Sequence, residues 1–108
     1  MREKIMLFGI LAKHSPESCP LNNQTSKKIF LEMEDNMKKN LKKFNVIKII
    51  GFYISVLEHE WIIIMDAKNA HDIENLCIVV GISSISTVKI VPMNDFQVIV
   101  KRIKSQNH

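Results

Sequence analysis

Apolar residues run through this chain with two different periods, and the changes of period mark out its elements. From Lys4 to Lys13 the nearly continuous run Ile5-Met6-Leu7-Phe8-Gly9-Ile10-Leu11-Ala12 has the length and composition of a strand buried on both faces. After a loop, Asn22 or Asn23 can cap a long helix in which Phe30, Met33, Met37, Leu41 and Phe44 recur at steps of 3, 4, 4 and 3, one buried stripe. Val46 to Leu57 holds a β-branched and aromatic strand, Glu58-His59-Glu60 makes a tight polar turn, and Trp61 to Ala67 runs back as its hairpin partner. Asn69, with Asp72 three residues on, caps a short helix whose inner face is Ile73, Leu76, Cys77 and Val80 and which Gly81 ends. Thr87 to Met93 reads as the last strand. Asn94-Asp95 then opens a terminal helix with Phe96, Ile99, Val100 and Ile103 along one side, and Lys101, Arg102 and Lys104 suit the dipole at its C-terminus. That apolar side predicts a helix docked on the body of the protein.

The order β-α-β-β-α-β plus a helix is the split βαβ, ferredoxin-like plan of the α+β class. Two right-handed crossovers give a four-stranded antiparallel sheet with the first and third strands in the centre. Those strands are apolar on both alternating faces, yet the two crossover helices cover only one face. Each large apolar side chain is worth about 1.5–3 kcal/mol on burial. Half a dozen left in water would forgo on the order of 10 kcal/mol, comparable to a domain's whole stability. The expectation is a homodimer with sheets face to face; a plainer alternative folds the terminal helix across the open face.

Composition narrows the class. A chain of 108 residues supports one domain, residues 1–108, with residues 1–3 and 105–108 expected to be flexible ends. An apolar content of 46% with three glycines and three prolines suits an element-rich globule. Cys19 and Cys77 do not make a disulfide framework and no secretory signal is evident, so a reducing cytoplasm is the default. Apolar runs such as Trp61 to Met65 are far short of a membrane span. The net charge of +4 raises nucleic acid as a partner. However, Lys27, Lys28, Lys38, Lys39, Lys42 and Lys43 interleave with Glu32, Glu34 and Asp35 on one helix, and aromatic residues make up only 6%. A solvated helix face explains them better than a surface that stacks bases.

The candidate chemistry lies in the loop Lys13-His14-Ser15-Pro16-Glu17-Ser18-Cys19-Pro20-Leu21-Asn22, where a histidine, a carboxylate and a thiol stand between two prolines. In the split βαβ plan the first strand ends at the edge where the second and third strands turn. His14 and Cys19 are therefore expected beside His59, with Glu17, Glu58 and Glu60 as outer or alternative ligands. Two imidazoles and a thiolate suit zinc first, with copper or iron also open. His-x4-Cys is not a zinc-finger spacing, and Pro16 and Pro20 equally suit a loop that is merely stiff. Cys77 belongs to a core stripe, His71 to the surface and His108 to the chain end. Met33 and Met37 fit core better than a copper site. Tyr53 and Trp61 are candidates to line a barrel cavity, with ordinary core packing the plainer reading.

The element order and the doubly apolar central strands resemble the dimeric α/β-barrel superfamily, in which paired ferredoxin-like sheets enclose a cavity. Within it, His14-Ser15-Pro16-Glu17-Ser18-Cys19-Pro20 followed by Asn22-Asn23 is similar to the His-Ser-x-x-x-Cys-Pro loop of a small prokaryotic family. Glu58-His59 before the third strand and Val88-Lys89-Ile90-Val91-Pro92 fit that family too. The resemblance implies a small barrel with a loop site and brings no settled activity. Muconolactone-isomerase-like and heme-degrading monooxygenase-like members show what such barrels host, but this chain lacks a recognisable set of their catalytic residues.

Three functions follow as expectations. The first is a small cytoplasmic dimer that binds a metal or another ligand through His14, Cys19 and His59. The second is a barrel enzyme acting on a small organic molecule, with His14 or His59 as acid/base and Cys19 as a nucleophile. The third is a regulatory dimer that recruits a protein partner.

Overall fold

A computed structural model describes residues 5–106 of the chain; Lys4, His108 and the expected free ends at 1–3 and 107–108 lie outside the described residues. The elements are β1 (Met6–Lys13), a 3-10 turn (Pro16–Ser18), α1 (Gln24–Asn40), β2 (Val46–Ser55), β3 (Glu60–Ala67), α2 (Ala70–Val79), α3 (Ile82–Ile85), β4 (Thr87–Met93) and α4 (Phe96–Gln106). The fold is α+β, with one antiparallel sheet in the order β2-β3-β1-β4. The two strands that read as apolar on both faces are thus the two in the centre.

The caps form as their residue types require. Asn23 Oδ1 accepts from Ser26 N at 3.0 Å at the start of α1, and Asn69 Oδ1 accepts from Asp72 N at 2.9 Å at the start of α2. Gly81, at φ 93°, closes α2 in the left-handed region open to glycine and turns the chain into α3. α3 was not anticipated, since four residues carry no readable period.

Alternation divides the sheet. Phe8, Ile10 and Ala12 of β1 and Trp61, Ile63, Met65 and Ala67 of β3 are buried under the helices, where they meet Met33 and Met37 of α1 and Ile73, Leu76 and Cys77 of α2. The opposite face carries Leu7, Leu11, Tyr53, Ile62, Ile64, Val91 and Met93, several of them well exposed: Tyr53 63%, Met93 42%, Ile62 37%.

Four expectations need correction. α1 stops at Asn40, so Leu41 caps it and Phe44 lies in the following turn; both still pack half-buried against the core, from non-helical backbone. β2 stops at Ser55, which moves the hairpin turn back to Val56–His59 and puts Glu60 in β3. α4 continues through Gln106, so residues 105 and 106 are helical. Nor does α4 dock: it has no buried residue, and Phe96 is 74% and Ile103 52% exposed. Among its residues only Ile99 and Val100 are part-buried, and Tyr53, Ile62 and Met93 on the open sheet face remain exposed. The radius of gyration, 15.9 Å, accordingly exceeds the roughly 13 Å of a compact domain of this length.

The lysines of α1 do form a solvated face, with Lys38 Nζ 2.9 Å from Glu34 Oε1 and both side chains largely exposed. Among the described residues no helix is long and apolar enough to cross a membrane.

Candidate metal centre

The site is built by sheet register. β1 and β3 pair antiparallel with Lys13 opposite Glu60. One step further, His14 N donates to His59 O at 3.0 Å, so the two histidines end the ladder as cross-strand neighbours. Both have the parity of the buried residues Ala12 and Trp61, so both rings turn to the helix side, their centroids 5.4 Å apart and edge to face.

The loop that carries Cys19 is tied down by its own hydrogen bonds. Ser15 Oγ accepts from Ser18 N at 3.3 Å, starting the 3-10 turn at Pro16. Cys19 N donates to Pro16 O, and Cys19 O accepts from both Asn22 N and Asn23 N at 2.9 Å. While its Oδ1 caps α1, Asn23 also donates from Nδ2 to Glu17 O at 3.1 Å. The start of α1 and the loop are therefore held by one side chain, and Cys19 is brought, buried, against the end of β1.

The ligand atoms of His14, Cys19 and His59 all lie within 4.8 Å of one another. Among the described residues this is the one grouping of three or more His, Cys, Asp or Glu that could hold a metal ion. The expected carboxylates do not join it. The Glu17 side chain is exposed, its carbonyl being the part the loop uses. Glu58 is exposed in the turn, and Glu60 has the opposite parity to His59 and Trp61 and belongs to the other face of the sheet. Alternation places a neighbour in sequence on the far side of a strand, so closeness to His59 along the chain worked against Glu60.

The polar atoms of the cluster are short of partners. His14 Nδ1 and Nε2 and His59 Nδ1 are buried without a hydrogen bond. A buried orphan of this kind costs about 1–3 kcal/mol. Burial, and after it the neighbouring His59, holds the His14 imidazole below its ordinary value near 6.5. One of its ring nitrogens then carries a free lone pair at neutral pH, as a metal ligand's must.

The sign of the resulting pH dependence follows from this shift. Below about pH 6.5 the unfolded chain takes up a proton at His14 that the folded chain resists, so stability rises with pH through that window. The metal-free protein is expected to be at full stability above that pH and to lose stability as the pH falls. His14→Gln should flatten this slope in urea titrations run at several pH values, and an unchanged slope would assign it elsewhere.

His59 sits at φ 54° at the end of the turn, a left-handed conformation costing a non-glycine residue about 1–2 kcal/mol. Strain held at a ligand position is characteristic of functional sites. His59→Gly is therefore expected to stabilise the metal-free protein by about 0.5–1 kcal/mol in denaturant unfolding while it removes one of the three candidate ligands. Lower stability would show that the His59 ring contributes more by packing than its backbone loses.

Around the cluster the walls are apolar. Trp61, 1% exposed, has its ring centroid 5.5 Å from that of His14, 5.6 Å from Phe30 and 6.5 Å from Phe52. It is a core residue on the helix side, which corrects its candidacy for a barrel cavity, although one edge reaches a cleft of about 390 Å³ that opens beside His14 and Cys19. Tyr53 pairs with Ile62 on the other face, away from the cluster. Of the remaining candidates, Cys77 is a core thiol pushed up to about 11, first by burial and then by Glu74. His71 is exposed beside Glu74.

No protein-family model matches the sequence, and no curated protein matches it. Among solved structures the chain is similar to a conserved protein of unknown function from Bacteroides thetaiotaomicron, described as a possible oxidoreductase. The match has a TM-score of 0.54 and 13% identity and covers 85% of this chain and 98% of that one. At that identity the likeness concerns the fold, a small α/β architecture.

Proposed function

We propose that this chain is a small metal-binding protein in which Cys19 Sγ and one ring nitrogen each of His14 and His59 hold a single transition-metal ion, zinc in the first instance. The observation that carries this reading is the convergence of two imidazoles and a thiol within 4.8 Å, with both ring nitrogens of His14 and Nδ1 of His59 buried and unpaired. Ligands around tetrahedral zinc stand roughly 3.5 Å apart, given metal–ligand distances of about 2.0–2.3 Å, so side-chain rotations of about 1 Å close the site. Copper and iron accept the same donors, and the choice among them rests on ligand type. Plasma mass spectrometry of untagged protein prepared under reducing conditions should find about one such ion per chain. A metal-free protein that also fails to take up zinc, copper or iron on reconstitution would overturn the proposal.

The same reading includes a homodimer of ferredoxin-like sheets, face to face as in the dimeric α/β barrels. Its support is the apolar sheet face left open among the described residues, together with a thickness of only 17 Å along the shortest axis, about one sheet and one helix layer. Ile62 lies on that face in a central strand. Sedimentation equilibrium should give twice the chain mass for the wild type and the chain mass for a folded Ile62→Lys variant. A monomeric wild type would refute the pairing while leaving the metal site untouched.

A further inference from the structure

We propose that the cleft beside the cluster binds a small apolar carboxylate, its carboxyl group placed between the metal's fourth position and Lys27 and its hydrocarbon body against Phe30, Leu31, Ile54 and Val56. The inference rests on the metal reading above and adds the class of ligand. Three protein ligands leave tetrahedral zinc one position short, the arrangement of sites that bind an exogenous molecule. His14 and Cys19 both line the cleft of about 390 Å³, so an ion held between them lies at its base. His14 is 5% exposed, with neither ring nitrogen hydrogen-bonded.

Shape and charge select the ligand. Leu31 is 73% and Val56 60% exposed at the cleft's sides, apolar surface that water covers poorly and a hydrocarbon covers well. A divalent ion with one thiolate keeps one positive charge. Among the described residues the one Lys, Arg, Asp or Glu in the lining is Lys27, exposed on the first turns of α1. Neither described ion pair involves Lys27. Two positive charges bordering an apolar slot would complement a monoanion with a hydrophobic tail and disfavour a cation or a polyol.

Octanoate is a suitable probe for full-length protein loaded with Co²⁺, whose visible spectrum reports its ligands. Saturable change of that spectrum is expected with octanoate and none with octylammonium, and each methylene from butanoate upward should strengthen binding about fourfold. Val56→Glu should leave the cobalt spectrum intact and abolish the octanoate response, while Lys27→Gln weakens it roughly two- to fivefold. An unchanged cobalt spectrum at saturating octanoate, equal binding of octylammonium, or a Val56→Glu protein that responds like wild type would each overturn the proposal. Should cobalt fail to bind, the metal reading fails separately. Calorimetry of octanoate with the metal-free protein then decides the cleft: saturable binding lost in Val56→Glu supports it, and no binding refutes it.

Discussion

Protein carrying Cys19→Ser is expected to hold no stoichiometric metal after purification and reconstitution beside the wild type. As a metal ligand Cys19 would supply the cluster's one negative charge, whereas a serine hydroxyl stays protonated and binds borderline-soft ions poorly. What remains is two imidazoles. Loss of an outer partner of a metal ligand already costs roughly 10–100-fold in affinity, and loss of the charged ligand itself should cost more. Serine nearly preserves the shape of cysteine, and the loop's hydrogen bonds run through the backbone of Cys19 and the side chains of Ser15 and Asn23, so the fold should persist. A second reading of the same variant is thermal. An ion present at about a thousandfold its dissociation constant stabilises the folded state by about 4 kcal/mol, on the order of 15 °C or more in Tm for a domain of this size. A chelator should lower the wild-type Tm by that amount and leave Cys19→Ser unmoved. A variant that retains the metal, or a wild type indifferent to chelation, would remove Cys19 from the site.

Trp61→Ala should have the largest effect on the fold itself, a loss of about 3–5 kcal/mol in equilibrium urea unfolding. Trp61 is the largest side chain in the core and touches both layers: Phe30 on α1, Phe52 on β2 and the His14 ring. Against a typical total of 5–15 kcal/mol this leaves little. The milder Trp61→Phe keeps a ring in place and should fold, binding metal more weakly because one wall behind His14 recedes. A loss under about 1 kcal/mol for Trp61→Ala would mean that the cavity collapses freely and that the indole is not the brace described here.

The legibility of the site and its misreadings share one cause, the period of two in a strand. The split βαβ plan joins the end of β1 to the β2–β3 turn, which made the meeting of His14 and His59 readable from element order. Applied once more, the alternation excludes Glu60, since a residue next to a helix-side position points to the other face. It also separates Tyr53 from Trp61, eight residues apart along one hairpin but on opposite faces of the sheet. Cys19 was harder, because a loop has no period. Its place follows from the bonds of Ser15 and Asn23, whose residue types were visible but whose partners were not.

Local pattern by itself determined the elements, a cap at Asn22 or Asn23 and another at Asn69, the central position of the two doubly apolar strands, and the candidate trio His14, Cys19 and His59. These depend on backbone geometry and short-range spacing, which a chain carries wherever it goes. Tertiary structure alone decided where α1 ends although its stripe continues to Phe44, which carboxylates stay outside the cluster, and that both ring nitrogens of His14 and Nδ1 of His59 are buried without partners. It also decided that no residue of α4 is fully buried. Periodicity records that a surface must be covered; what covers it depends on register, burial and neighbouring layers, which are long-range and in part lie beyond a single copy of the chain.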